Sequence, residues 1–183
     1  MSLTPAPPTP PRAFTEADYL ARARRVLESA VEKGLTGVLV TPGPDLTWLT
    51  GYQPTAITER LTVLVLAPDQ EPTLLVPRLE RPDAEAAEGV RAMTTLDWAD
   101  ATDPYEAARA LIRPGGTYGI SDSAWAMHVL GFQDAIPGTT YRALTRSLPM
   151  MRAVKDEVEL ARLAAAGEAA TTPKVRRSSC DRP

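Results

Sequence analysis

Residues 37–52, GVLVTPGPDLTWLTGY, decide how the chain is read. Val38, Leu39 and Val40 form a short apolar run rich in β-branched side chains, and Pro42, Gly43 and Pro44 stop it. Asp45 then stands before Leu46, Thr47, Trp48 and Leu49 as a candidate helix N-cap, and Gly51 is suited to end the turn in a left-handed conformation. The expected unit is a strand, a tight exit and one or two helical turns that present Trp48 and Tyr52 at the edge of a sheet.

An amphipathic helix precedes this unit. Thr15, Glu16, Ala17 and Asp18 resemble a capping box, and Leu20, Leu27, Ala30 and Val31 follow at helical spacing until Gly34. Arg22, Arg24 and Arg25 share that helix with Glu28 and Glu32, which favours a solvated face over a nucleic-acid site. Downstream, residues 61–67 (LTVLVLA) are unbroken apolar sequence, the pattern of a strand covered on both faces. Pro68 and Asp69 supply a turn, and residues 73–76 return as the second arm of a hairpin. A polar, alanine-rich helix over 79–89 and a strand over 92–96 follow. Next come a helix over 103–112 capped by Asp103 with Pro104 in its first turn, a strand over 118–121, a helix over 124–132 and a strand over 140–144. Helices alternating with strands give an α/β sandwich, and the hairpin makes its sheet mixed.

The ends read differently. Residues 1–13 hold five prolines and predict a disordered or polyproline arm. Residues 14–150 form the domain, residues 151–171 a charged, alanine-rich linker helix running away from it, and residues 172–183 a disordered tail that begins where Pro173 stops the helix. Net charge is -3, so neither nucleic acid nor an anionic membrane is an expected partner. A single cysteine, Cys180, excludes an internal disulfide and favours a cytoplasmic setting. No apolar run approaches the roughly 20 residues of a membrane span.

Candidate chemistry is sparse. The single histidine, His128, lies among apolar neighbours in WAMHVLGF and reads as a structural or surface residue ahead of a ligand or general base. Ser121 and Ser123 lack the GxSxG elbow, and Cys180 sits in the tail. Gly115, Gly116 and Gly119 leave a helix and enter a strand, the reverse of what phosphate cradling requires, so they read as a turn. Asp97, Asp100 and Asp103 lack the glycine and terminal glutamate of a calcium loop, and a loop with a helix cap accounts for them.

Two separated patterns agree with one family. DLTWLTGY over 45–52 resembles the aromatic and Thr-Gly-aromatic loop in the N-terminal domain of the creatinase, prolidase and aminopeptidase P family. Arg152 and Lys155, continuing to Glu159, Leu160 and Ala166, resemble the junction that opens that family's metal-binding domain, and Leu75 to Glu80 fits between them. The resemblance covers about residues 15 to 170. It implies a three-layer-like sandwich with a mixed, mostly six-stranded sheet flanked by helices, a ribonuclease H-like motif, followed by the long linker helix.

It also implies an Xaa-Pro aminopeptidase or prolidase-like metallopeptidase as the parent, with a pita-bread catalytic domain holding two divalent metals, Mn, Co or Zn, downstream of the junction. Too few residues follow Lys155 here for that domain, so no catalytic or metal residue carries over, and the expectation is a shortened or frame-shifted chain, inactive alone. By the same resemblance the domain packs as a homodimer and narrows access to a neighbouring subunit's metal site. Trp48 and Tyr52 would then face the ring of a small peptide substrate and Arg60 its carboxylate; the competing expectation is that Trp48 is core and the other two brace the loop. A stand-alone peptide- or protein-binding module, or a domain of a creatinase-like amidinohydrolase, are the alternatives.

Overall fold

The computed structural model describes residues 11–55 and 57–171. The proline-rich arm up to residue 10 and the tail from residue 172, Cys180 included, lie outside the described residues. Contacts divide the chain into Phe14–Val154 and a second unit to which the helix after Lys155 belongs.

Within the first unit six strands form one mixed sheet in the order β4-β3-β2-β1-β5-β6. They are β1 (Gly37–Val40), β2 (Val63–Leu66), β3 (Thr73–Pro77), β4 (Thr94–Trp98), β5 (Thr117–Ile120) and β6 (Thr140–Ala143). β2 runs antiparallel to both of its neighbours, Val38 opposite Leu66 and Leu64 opposite Leu74, while β1, β5 and β6 are mutually parallel, as are β3 and β4. The expected hairpin is present, and Asp69 turns it with φ of 65°.

Alternation along the strands sorts the core into two layers. Val38, Val40, Leu64, Leu66, Leu74 and Val76 face α1 (Glu16–Glu32), α2 (Pro44–Thr50), α3 (Arg81–Ala86) and α6 (Leu144–Ser147). Leu39, Val63, Val65, Leu75 and Ile120 face α4 (Pro104–Arg109) and α5 (Ala126–Ala135). β1, β2 and β3 are buried along their whole length, as continuous apolar runs require when both faces are covered.

Helix starts follow local chemistry. The Thr15 backbone N–H and hydroxyl both donate to the Asp18 carboxylate, at 2.8 and 2.9 Å, and hold the first turn of α1. Asp103 caps α4 by accepting from the Tyr105 N–H at 2.9 Å. In the second unit Asp156 and Glu159 exchange backbone-to-carboxylate bonds of 2.9 and 2.8 Å, a reciprocal cap that starts α7 (Glu157–Thr171).

Several expectations are corrected. Asp45 does not cap α2; Gly43 does, with φ of 153°, and Pro44 takes the first helical position, so Asp45 lies inside the first turn. The helix expected over 79–89 divides into a 3-10 turn, Arg78–Glu80, and α3, because Pro82 fits only the opening turn of an α-helix. The strand expected over 92–96 lies two residues further on, which places Asp97 in β4 and not in a loop. α6 directly follows β6 and had no sequence signal of its own. β1 is an interior strand, so α2 stands beyond its end and not along a sheet edge.

Candidate functional site

The loop after β1 is locked from within by its own polar side chains. Thr50 is fully buried; its hydroxyl donates to the Leu46 carbonyl at 2.7 Å and accepts from the Tyr52 N–H at 3.0 Å. Gly51 has φ of 74°, and its N–H reaches the Thr47 carbonyl at 2.8 Å, which turns the chain out of α2 in the left-handed conformation that glycine adopts without strain. The Thr-Gly-aromatic sequence is thus a helix stop whose threonine stitches both sides of the turn.

What this rigid loop presents is uneven. Tyr52 is only 5% exposed, and its hydroxyl donates to a Glu80 carboxylate oxygen at 3.3 Å. Burial, reinforced by Glu80, raises the Tyr52 phenol above its ordinary range, so it stays protonated and donating. Trp48 is half-buried and packs against the α1 side of the core. Arg60, about one-third exposed, makes a long ion pair with Asp100 at 3.5 Å. The three residues named from sequence therefore share no hydrogen bond or ion pair with one another: Trp48 belongs to the α1 side, Tyr52 is tied to Glu80, and Arg60 to the loop after β4.

Trp48 is fixed by a residue that sequence misread. Arg22 is not solvated but 2% exposed, with its guanidinium 4.1 Å from the Phe14 ring centroid, 5.3 Å from Tyr19 and 5.4 Å from Trp48. Its Nη1 donates to the Trp48 carbonyl at 3.0 Å. A planar, weakly hydrated cation stacks among rings in a way a lysine could not. The available signal was Phe14 just before the helix start with Tyr19 and Arg22 in its first two turns, beside a tryptophan in the next helix.

The remaining candidates are structural. Asp97 accepts from Arg78 and Arg81, each at 2.7 Å, and these bonds hold its carboxyl below the usual carboxylate range. Ser121 is buried and accepts from the Thr41 N–H at 3.1 Å, joining the ends of β1 and β5. Gly115, with φ of 75°, makes the turn expected of it. His128 is 1% exposed, its Nδ1 lies 2.9 Å from the Tyr105 hydroxyl, and its Nε2 has no hydrogen-bond partner among the described residues. Among the described residues no three His, Cys, Asp or Glu side chains group as a metal site would require.

His128 gives a pH prediction. Burial lowers its pKa below the ordinary 6.5, so the unfolded chain binds the extra proton first. Stability is therefore complete above pH 6.5 and falls as pH drops through the folded-state value, by at most about 1.4 kcal/mol per pH unit. Urea unfolding of the wild type and of His128→Leu checks this: the variant is expected to lose that slope.

Fold and site together define a three-layer α/β domain that holds an aromatic loop rigidly beyond the end of an interior strand. The chain belongs to the creatinase/prolidase N-terminal domain family, whose model matches residues 22–154. It is 35% identical over 164 residues to the probable dipeptidase PepE of Mycobacterium tuberculosis, covering 86% of this chain and 42% of that protein. The crystal structure of dipeptidase PepE from Mycobacterium ulcerans superposes with a TM-score of 0.77 at 34% identity, over 87% of this chain and 43% of that one. A prolidase from Thermococcus sibiricus gives 0.67 at 26% identity, covering 78% and 39%. The creatinase/prolidase N-terminal domain of an X-Pro dipeptidase from Streptococcus pyogenes shares the fold, with a TM-score of 0.58 at 22% identity over 68% of this chain and 99% of that chain. The chain spans about two-fifths of the length of its dipeptidase relatives, 42% for the mycobacterial protein. No described helix is long and apolar enough to cross a membrane.

Proposed function

We propose that this chain is the non-catalytic, access-controlling and assembly domain of an Xaa-Pro dipeptidase of the cytoplasm. It works as a homodimer and narrows the approach to a metal site carried by a catalytic domain. The observation that carries this reading is the match of nearly the whole chain to the creatinase/prolidase N-terminal region of dipeptidases, at 35% identity over 86% of its length. The geometry supports it: the α2 loop is rigid and its threonines are spent on the backbone.

Of the three candidate substrate-facing residues, Arg60 is the best placed for a substrate carboxylate. Its pair with Asp100 is long and half-exposed, so exchanging that partner for a peptide carboxylate costs little. Tyr52 contributes by holding Glu80, and Trp48 by stiffening the loop. Grafting residues 14–154 in place of the corresponding domain of the Mycobacterium ulcerans dipeptidase tests this. Arg60→Ala in the graft is expected to raise KM for an Xaa-Pro dipeptide about tenfold with kcat little changed. An unchanged KM would remove Arg60 from the proposal.

A further inference from the structure

A second surface lies on the other side of Trp48, and neither Tyr52 nor Arg60 takes part in it. A groove of about 390 Å³ runs between α1 and the segment after α6; its walls include Trp48, Met150, Met151 and Val154, with Arg25 and Lys33 on the α1 rim. Met150 is 60% exposed and Val154 64%, an apolar content that single scattered side chains do not produce. Two adjacent methionines give the wall adaptable, unbranched packing.

Both charged side chains that line the groove are cations. Arg25 on α1 and Lys33 at its C-terminal cap are exposed, stand eight residues apart, and make no side-chain hydrogen bond or ion pair with any described residue. Along a helix that separation is about 12 Å, two turns. No acidic side chain lines the groove, and the neighbouring carboxylate of Asp45 is already paired with Arg152. Arg25 and Lys33 thus set two positive charges over an apolar floor, with Glu28 and Glu32 also exposed on α1 but outside the groove lining.

We propose that the groove docks an acidic amphipathic helix of a partner protein, two or three apolar side chains against Trp48 and the methionines and carboxylates reaching Arg25 and Lys33. Charge complementarity decides the occupant: a basic or neutral apolar helix would leave both rim cations facing like charge or none, while an acidic one neutralises them and is steered towards them. Arg22, bonded to the Trp48 carbonyl with its guanidinium 5.4 Å from the ring centroid, keeps that wall rigid before the helix arrives, so little ordering is lost on binding.

The test uses the full chain and a short capped, dye-labelled peptide with leucines at i, i+4 and i+7 flanked by glutamates, followed by fluorescence anisotropy. The acidic peptide is expected to bind, the same peptide with lysines for glutamates is not, and the Trp48 indole N–H resonance should move on titration. Arg25→Glu with Lys33→Glu, both exposed and outside the core, should weaken binding about tenfold or more, as should Val154→Glu, which leaves α1 untouched. Thermal melts of the variants verify that they fold. Absence of binding by the acidic peptide, equal binding of the lysine peptide, or affinity unmoved by both sets of substitutions would overturn the proposal. So would co-sedimentation with phosphatidylserine vesicles in place of peptide binding.

Discussion

Replacing Arg22 by alanine is expected to lower the unfolding free energy by about 3 kcal/mol. The side chain is 2% exposed, and three aromatic rings pack around its guanidinium. Truncation removes the bond to the Trp48 carbonyl and opens a space among Phe14, Tyr19 and Trp48. Arg22→Lys keeps a charge but loses the planar stack, so it should recover only part of the loss. Equilibrium urea unfolding measures both, and intrinsic fluorescence reports whether Trp48 becomes mobile. Alanine at wild-type stability would show that the cation adds nothing net to this cluster.

The second large effect is expected from Gly37→Ala in β1. A Cβ there would lie 2.5 Å from the Leu66 carbonyl oxygen and 2.8 Å from the Tyr118 ring, with the Ala67 methyl at 3.2 Å. The nearest of these is backbone of the paired strand, so the residue cannot be accommodated by a side-chain rotation. β1 and β2 must part where their ladder begins, at a cost of about 3 kcal/mol. Loss of amide-exchange protection should centre on residues 38–40 and 64–66. A variant as stable as the parent would mean that the sheet accepts the methyl by a small shift.

Much of the fold was legible because it rests on local rules. The unbroken apolar run over 61–67, the capping pair Thr15 and Asp18, and Asp103 with Pro104 each specify their element without help from distant sequence. Where the reading slipped, two local signals competed or a tertiary contact decided. Asp45 is a good cap by residue type, but Pro44 before it needs the first helical position, and that moves the cap to Gly43. Arg22, Arg24 and Arg25 look alike in sequence; only the packing of α1 on α2 selects Arg22 for burial.

The candidate site was legible only as residues and not as a group. Trp48, Tyr52 and Arg60 are near in sequence, yet Glu80 claims one and Asp100 another, both supplied by elements across the sheet. The groove left a faint trace, Arg25 and Lys33 at a separation of two helical turns, but its opposite wall comes from residues 147–154. His128 shows the same limit: its environment is set by Tyr105 on α4, which approaches α5 closely because position 131 is glycine, where a Cβ would lie 2.2 Å from the Tyr105 ring.

Under the proposed function the domain shapes access without carrying out the reaction. Incubating the purified chain with an Xaa-Pro dipeptide and manganese, with metal content measured on the same sample, tests this most directly. No proline release and no stoichiometric metal are predicted; steady turnover accompanied by tightly bound metal would contradict it.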